Sequence, residues 1–178
     1  VLRYVCNDVA LSEADEAAFR AFAVSRRPAL RRTAYLLCGD WHQADDLVQT
    51  TLTKLYVAWR RVRSGEEPDS YTRRILTRCY LDERRRPWRR EQPVEEFDEL
   101  ASPAGIAVEA VDLRTALALL PARQRATVVL RYWADASVTE TAAALGCSEG
   151  TVKSQTARAL TALRSLLADP VLAVEETS

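Results

Sequence analysis

Lys153, Ser154, Gln155, Ala157 and Arg158 lie close together near the C-terminal end of the chain. Amines, guanidinium groups, amides, hydroxyls and small methyls are the side-chain types that reach phosphates and base edges in a DNA major groove. A second set lies upstream. Between Tyr71 and Arg90 stand Arg73, Arg74, Arg78, Arg84, Arg85, Arg86, Arg89 and Arg90, opposed only by Asp82 and Glu83. Guanidinium groups pair with phosphates and also stack on bases, and Tyr71, Tyr80 and Trp88 add aromatic faces, a combination suited to single strands. A third set, Gln43, Asp45, Asp46, Gln49 and Thr50, gathers carboxylates, amides and a hydroxyl on the outward positions of one helix.

None of these sets is a catalytic arrangement. The Asp45-Asp46 pair adjoins no metal-ligand cluster, the lone histidine is His42, and no P-loop or dinucleotide-binding glycine pattern occurs. The four cysteines, Cys6, Cys38, Cys79 and Cys147, are widely spaced without a C-x-x-C pair and read as small buried hydrophobes. The expectation is a protein with no enzymatic activity, no cofactor and no metal.

The elements that must position these groups follow from caps and periodicity. Ser137 with Glu140 forms a capping box, and Gly146 supplies the left-handed residue that ends a short helix. Ser148 caps the next, with Glu149 in its first turn and Val152, Ala159, Leu160, Leu163 and Leu167 as its apolar stripe. Two helices about so short a turn form a helix-turn-helix, with Ala142 at the contact, Val152 as the plug, and Lys153 to Arg158 turned outward.

Upstream, Ser12 and Asp15 read as a helix start, Pro28 as an interruption, and Leu30, Thr33, Ala34 and Leu37 as the face of a further helix closed by Gly39. Asp40 caps a longer helix with Trp41, Ala44, Leu47, Val48, Leu52, Leu55, Tyr56 and Trp59 inward. After a loop at Ser64-Gly65 and Pro68, Asp69 caps the arginine helix, which runs to Pro87. The pattern fails from Trp88 to Ala107, an extended acidic linker. It resumes at Val108, where Val111, Ala118 and Leu119 mark a helix ending before Pro121, and Pro121 opens the next, through Val128, Val129 and Tyr132. The expected organisation is all-α: a helical bundle over 12–87, a linker over 88–107, a helix-turn-helix domain over 108–168 and a tail over 169–178.

The formal net charge of +0 hides an asymmetry. The arginine block is followed, from Glu91 to Asp112, by Glu91, Glu95, Glu96, Asp98, Glu99, Glu109 and Asp112 with no basic residue, which implies two surfaces with different partners. No apolar run approaches the ~20 residues of a membrane span, and no secretory signal opens the chain, so a cytoplasmic location is expected.

Three segments in this order resemble the sigma factors of bacterial RNA polymerase, in particular the two-domain extracytoplasmic-function group that keeps regions 2 and 4. A-D-D-L-V-Q-T-T-L at 44–52 is similar to the region 2.2 motif, L-P-A-R-Q-R-A-T-V-V-L-R-Y at 120–132 to the opening of region 4, and L-G-C-S-E-G-T-V-K-S-Q at 145–155 to its helix-turn-helix. The resemblance implies a transcription initiation factor that binds core polymerase, recognises promoter DNA and melts the minus-10 region. It assigns Asp45, Asp46, Gln49 and Thr50 to the clamp helices of the largest polymerase subunit. Tyr71, Arg74, Arg78, Arg85 and Arg86 fall to the minus-10 element, and Lys153, Ser154, Gln155, Ala157 and Arg158 to the minus-35 element. Arg78 stands where many relatives carry Asn, and Gln155 where Arg is common. The resemblance further implies an anti-sigma factor, no membrane insertion and a monomer when free. An autonomous helix-turn-helix repressor would explain only 108–167, and an RNA-binding adaptor only the arginine block.

Overall fold

A computed structural model describes residues 11–85 and 108–168. Helix α1 spans Glu13–Cys38, α2 Trp41–Gly65, α3 Pro68–Arg85, α4 Val108–Leu119, α5 Ala122–Val128, α6 Val138–Leu145 and α7 Glu149–Ala168, with a π-helical turn over Val129–Trp133. The all-α expectation holds among the described residues. Arg86, the whole of the expected linker over 88–107 and the expected tail over 169–178 lie outside them.

Most boundaries form where local chemistry places them. The Ser12 hydroxyl accepts from the Asp15 N–H, and Gly39 ends α1 at φ +82°, a left-handed conformation that a side chain would strain. The Asp40 carboxylate accepts from the Gln43 N–H and starts α2.

Four expectations are corrected. Pro28 does not interrupt; α1 passes through it. Proline removes one N–H donor, but both halves of α1 are held against α2, Phe19 and Phe22 by Trp59 and Leu30, Ala34 and Leu37 by Ala44, Leu47 and Val48. Asp69 is not the cap of α3. The Glu67 carboxylate instead accepts from the Asp69 and Ser70 N–H groups, and Asp69 ion-pairs with Arg26 at 2.5 Å. Leu119 is exposed, and Ala116, Leu117 and Leu120 form the buried face. Tyr132 is exposed as well, because the wider π turn shifts the register so that Val129 and Leu130 point inward.

Helices α1 to α3 form a bundle around Leu55, Trp59 and Val62 at one end and Leu37, Leu47 and Leu76 at the other. The second end is not closed by these helices alone. Leu76, Tyr80 and Leu81 of α3 belong to the same buried cluster as Val129, Leu130, Ala142, Leu145 and Val152. A smaller cluster, Ala116, Leu117, Leu120, Val128, Ala159 and Leu163, ties α4, α5 and α7 together.

Candidate nucleic-acid and polymerase interface

The helix-turn-helix assembles from its caps. Ser137 accepts from the Glu140 N–H at 3.1 Å while the Glu140 carboxylate accepts from the Ser137 N–H at 2.7 Å. These bonds hold the Glu140 carboxyl below the usual carboxylate range, with Arg73 adding to the effect. Gly146 ends α6 at φ +61°, and its N–H reaches the Ala142 carbonyl. Ser148 then accepts from the Thr151 N–H at 3.2 Å. Val152 is wholly buried against the α6 side, as is Ala159 one face-repeat later, so Lys153, Ser154, Ala157 and Arg158 are left exposed. Gln155 differs: it is half-buried, and its Oε1 is shielded from solvent.

On α2, Asp46, Gln49 and Thr50 are exposed, but Asp45 is engaged. Arg31 grips it with two bonds, Nε to Oδ1 at 2.7 Å and Nη2 to Oδ2 at 3.0 Å, and thereby holds its carboxyl below the ordinary range. Beside this face runs a groove of about 630 Å³ between α1 and α2, lined by Phe19, Val24, Asp45, Gln49, Leu52 and Tyr56 among others. Val24 on its rim is 71% exposed, and none of the described residues covers it. The groove had no signature in the sequence, because its walls come from two helices whose relative rotation only packing sets.

On α3 the arginines divide. Arg74 lies 4.7 Å over the Tyr71 ring and pairs with Glu66 at 2.7 Å, and Arg61 donates to the Tyr71 hydroxyl at 2.7 Å. Arg78 and Arg85 are exposed and line a cleft of about 230 Å³ that faces Arg123, Ala144 and Leu145. Arg73 turns the other way, to Glu140 at 3.0 Å.

Residues 22–90 match the family described as Sigma-70 region 2, and residues 110–163 match Sigma-70, region 4. The RNA polymerase sigma-E factor of Streptomyces coelicolor is 39% identical over 157 residues, 84% of this chain and 85% of that protein. The chain belongs to the sigma-70 family. Its relatives place it in the extracytoplasmic-function group: the ECF RNA polymerase sigma factor SigM of Mycobacterium tuberculosis is 33% identical over 78% of this chain and 71% of its own. Among solved structures, the sigma factor RpoE in complex with the anti-sigma factor NepR from Bartonella quintana superposes with a TM-score of 0.73 at 28% identity, covering 85% of this chain and 97% of that one. CnrH in complex with the cytosolic domain of CnrY shares the fold, with a TM-score of 0.62 at 24% identity over 86% of this chain and 89% of that one. As a sigma factor, the chain serves promoter-specific transcription initiation with RNA polymerase. No helix of the described residues is long and apolar enough to cross a membrane.

Arg125 and Arg114 carry no distinguishing signal in the sequence. Arg125 is 6% exposed and donates to the Leu37 carbonyl at 2.9 Å and to the carbonyls of Ala118 and Leu120. Burial lowers its pKa from the ordinary guanidinium value. Arg114 donates to the Tyr35 hydroxyl; the Tyr35 ring stacks on Trp41 at 3.9 Å, and Arg31 covers the other face of Trp41 at 4.3 Å. The composition of an arginine-rich helical chain looks the same whether such residues face solvent or a carbonyl.

Proposed function

We propose that this sigma factor docks on core RNA polymerase through the exposed edge of α2 and the adjoining groove, reads the minus-35 duplex with α7, and opens the minus-10 region with α3. The observation that carries the reading is the reading face itself. Lys153, Ser154, Ala157 and Arg158 stand exposed on α7 while Val152 and Ala159 are buried, in a chain whose other half matches region 2. A cation, a hydroxyl and a methyl in that arrangement suit phosphates, base edges and the thymine methyl.

For polymerase docking, Asp46, Gln49 and Thr50 supply free polar groups beside an apolar groove, the pairing of polar rim and apolar centre typical of interfaces. Asp45 enters through its contact with Arg31, so a basic partner has to compete with that bidentate pair. For strand opening, Tyr71 held between Arg61 and Arg74 is a stacking platform, and Arg78 and Arg85 are phosphate-binding groups. An anti-sigma factor is a further expected partner, by likeness to RpoE of Bartonella quintana, which was solved with one. The chain supplies recognition and no bond chemistry of its own.

The test is reconstitution. Purified chain added to core polymerase directs initiation at a defined set of start sites in a genomic library, with a permanganate-reactive bubble near each. Failure to bind core, or initiation without start-site selection, overturns this reading.

A further inference from the structure

Two neighbouring carboxylates on α2 differ in what they already hold. Asp46 is exposed and has no hydrogen-bond or ionic partner among the described residues. Asp45, one position earlier, is taken: both of its oxygens are bound by Arg31 of α1, 14 residues away in sequence. We infer that Arg31 is a built-in competitor for the docking carboxylate, a guanidinium of the chain's own that holds the site a partner's arginine would use and so sets how tightly the α2 edge binds core polymerase. This inference rests on the docking reading above and names how that site is regulated.

The geometry is that of a substitute ligand. Nε donates to one carboxylate oxygen at 2.7 Å and Nη2 to the other at 3.0 Å, the two-pronged arrangement by which guanidinium groups recognise carboxylates. An incoming guanidinium cannot form the same two bonds while Arg31 is in place. The pair is also within reach of a partner. Its side chains are 41% and 42% exposed, and Asp45 forms part of the wall of the groove between α1 and α2. Arg27 lines the same groove and adds positive charge near Asp45. A cationic partner therefore approaches one carboxylate whose field is cancelled and, beside it at Asp46, one whose field is not.

Arg31 has a second place to rest. Its guanidinium carbon lies 4.3 Å from the centroid of Trp41, and Trp41 is itself steadied by the Tyr35 ring, stacked at 3.9 Å with the planes 10° apart. A cation on an aromatic face keeps part of its stabilisation when a carboxylate leaves it. Exchange of one guanidinium for another at Asp45 thus strands no charge, whereas breaking an ion pair in the interior would leave one uncompensated. The same ring orders Arg31 before any partner arrives, so little side-chain freedom is lost in holding Asp45. An ordinary surface pair has neither support.

The experiment measures binding of the full chain to core polymerase by fluorescence anisotropy, at low and at physiological salt, for Arg31→Gln, Asp45→Asn, the two together, Arg31→Lys and Asp46→Lys. Arg31→Gln binds core about 2–5-fold more tightly at low salt, the range a well-formed exposed pair supports, and salt weakens it more steeply than the parent chain. The gain vanishes in Arg31→Gln/Asp45→Asn, which shows as coupling in the double-mutant cycle. Arg31→Lys keeps the charge without the fork, gives a smaller gain, and carries the test if the glutamine variant unfolds. Unchanged or weaker binding in whichever of the two folds, or a gain that survives Asp45→Asn, overturns the inference. Asp46→Lys separates it from the docking reading. Weaker core binding there, with no gain in Arg31→Gln, leaves the docking face standing and removes only the competitor, while core affinity indifferent to Asp46→Lys removes the docking reading itself.

Discussion

Arg73 and Glu140, separated by 67 residues in sequence, meet at 3.0 Å across the junction between α3 and α6. The same Glu140 carboxylate closes the capping box of α6 through Ser137. One acidic side chain thus serves the start of the helix-turn-helix and the contact that holds it against α3. As an ion pair, with side-chain exposures of 26% and 36%, it contributes at most ~1 kcal/mol. Its importance lies in position.

Removing the cap separates the two roles. Ser137→Ala deletes the hydroxyl that accepts from the Glu140 N–H and costs ~1 kcal/mol, measured by urea unfolding. The Glu140 carboxyl in the same variant titrates closer to the ordinary value, read by carbon-detected NMR. No change in either quantity would remove the capping box from the account.

The pH dependence has a defined sign. The folded-state pKa of Glu140 is depressed, first by the Ser137 N–H, and that of Asp45 is depressed, first by Arg31. Each contribution is therefore fully present above the unfolded carboxyl pKa of ~4 and is lost as pH falls through the lower folded value. Stability measured by denaturant between pH 7 and pH 3 declines at the acid end, and Glu140→Gln with Asp45→Asn flattens that decline. Both groups are partly exposed, so the flattened portion is small.

Arg125→Leu leaves the carbonyls of Leu37, Ala118 and Leu120 without their buried donor and is expected to cost roughly 2–4 kcal/mol. Arg125→Lys does not restore the loss, because a single ammonium cannot span acceptors that a planar fork reaches together. Thermal unfolding of both variants checks this. Equal stability of the lysine variant and the parent chain would contradict the assignment.

Gly146→Ala tests the turn. A Cβ at Gly146 meets nothing within 4 Å, so crowding is absent and only the left-handed backbone at φ +61° is strained. The expected cost is ~1 kcal/mol, with Gly146→Asn milder. Val152→Ala, by contrast, empties a wholly buried site and costs about 1–3 kcal/mol.

On the exposed face of α7 proposed to read DNA, Arg158→Ala should lower discrimination between cognate and altered minus-35 duplexes by about 1–3 kcal/mol if Arg158 reads a base. If it binds phosphate, affinity falls uniformly and the salt slope drops by about one. Fluorescence anisotropy at several salt concentrations separates these, and an unchanged profile in both would exclude Arg158 from the interface.

Local chemistry in the sequence determined a great deal of this protein. The caps at Ser12, Asp40, Ser137 and Ser148, the left-handed glycines, the plug at Val152 and the outward positions of α7 all depend on residues within a few places of one another, and the three motifs in order identified the family. What depends on long-range packing was not legible. Pro28 lies inside a helix because α2 supports both of its halves, Glu67 rather than Asp69 caps α3 because Asp69 is drawn to Arg26, and Tyr132 faces solvent because a π turn changes the register. Whether an arginine meets water, a carbonyl or a carboxylate is likewise decided only when distant helices meet. Arg31 claims Asp45, Arg73 claims Glu140, and Arg125 caps the end of α1 because tertiary packing brings these groups together.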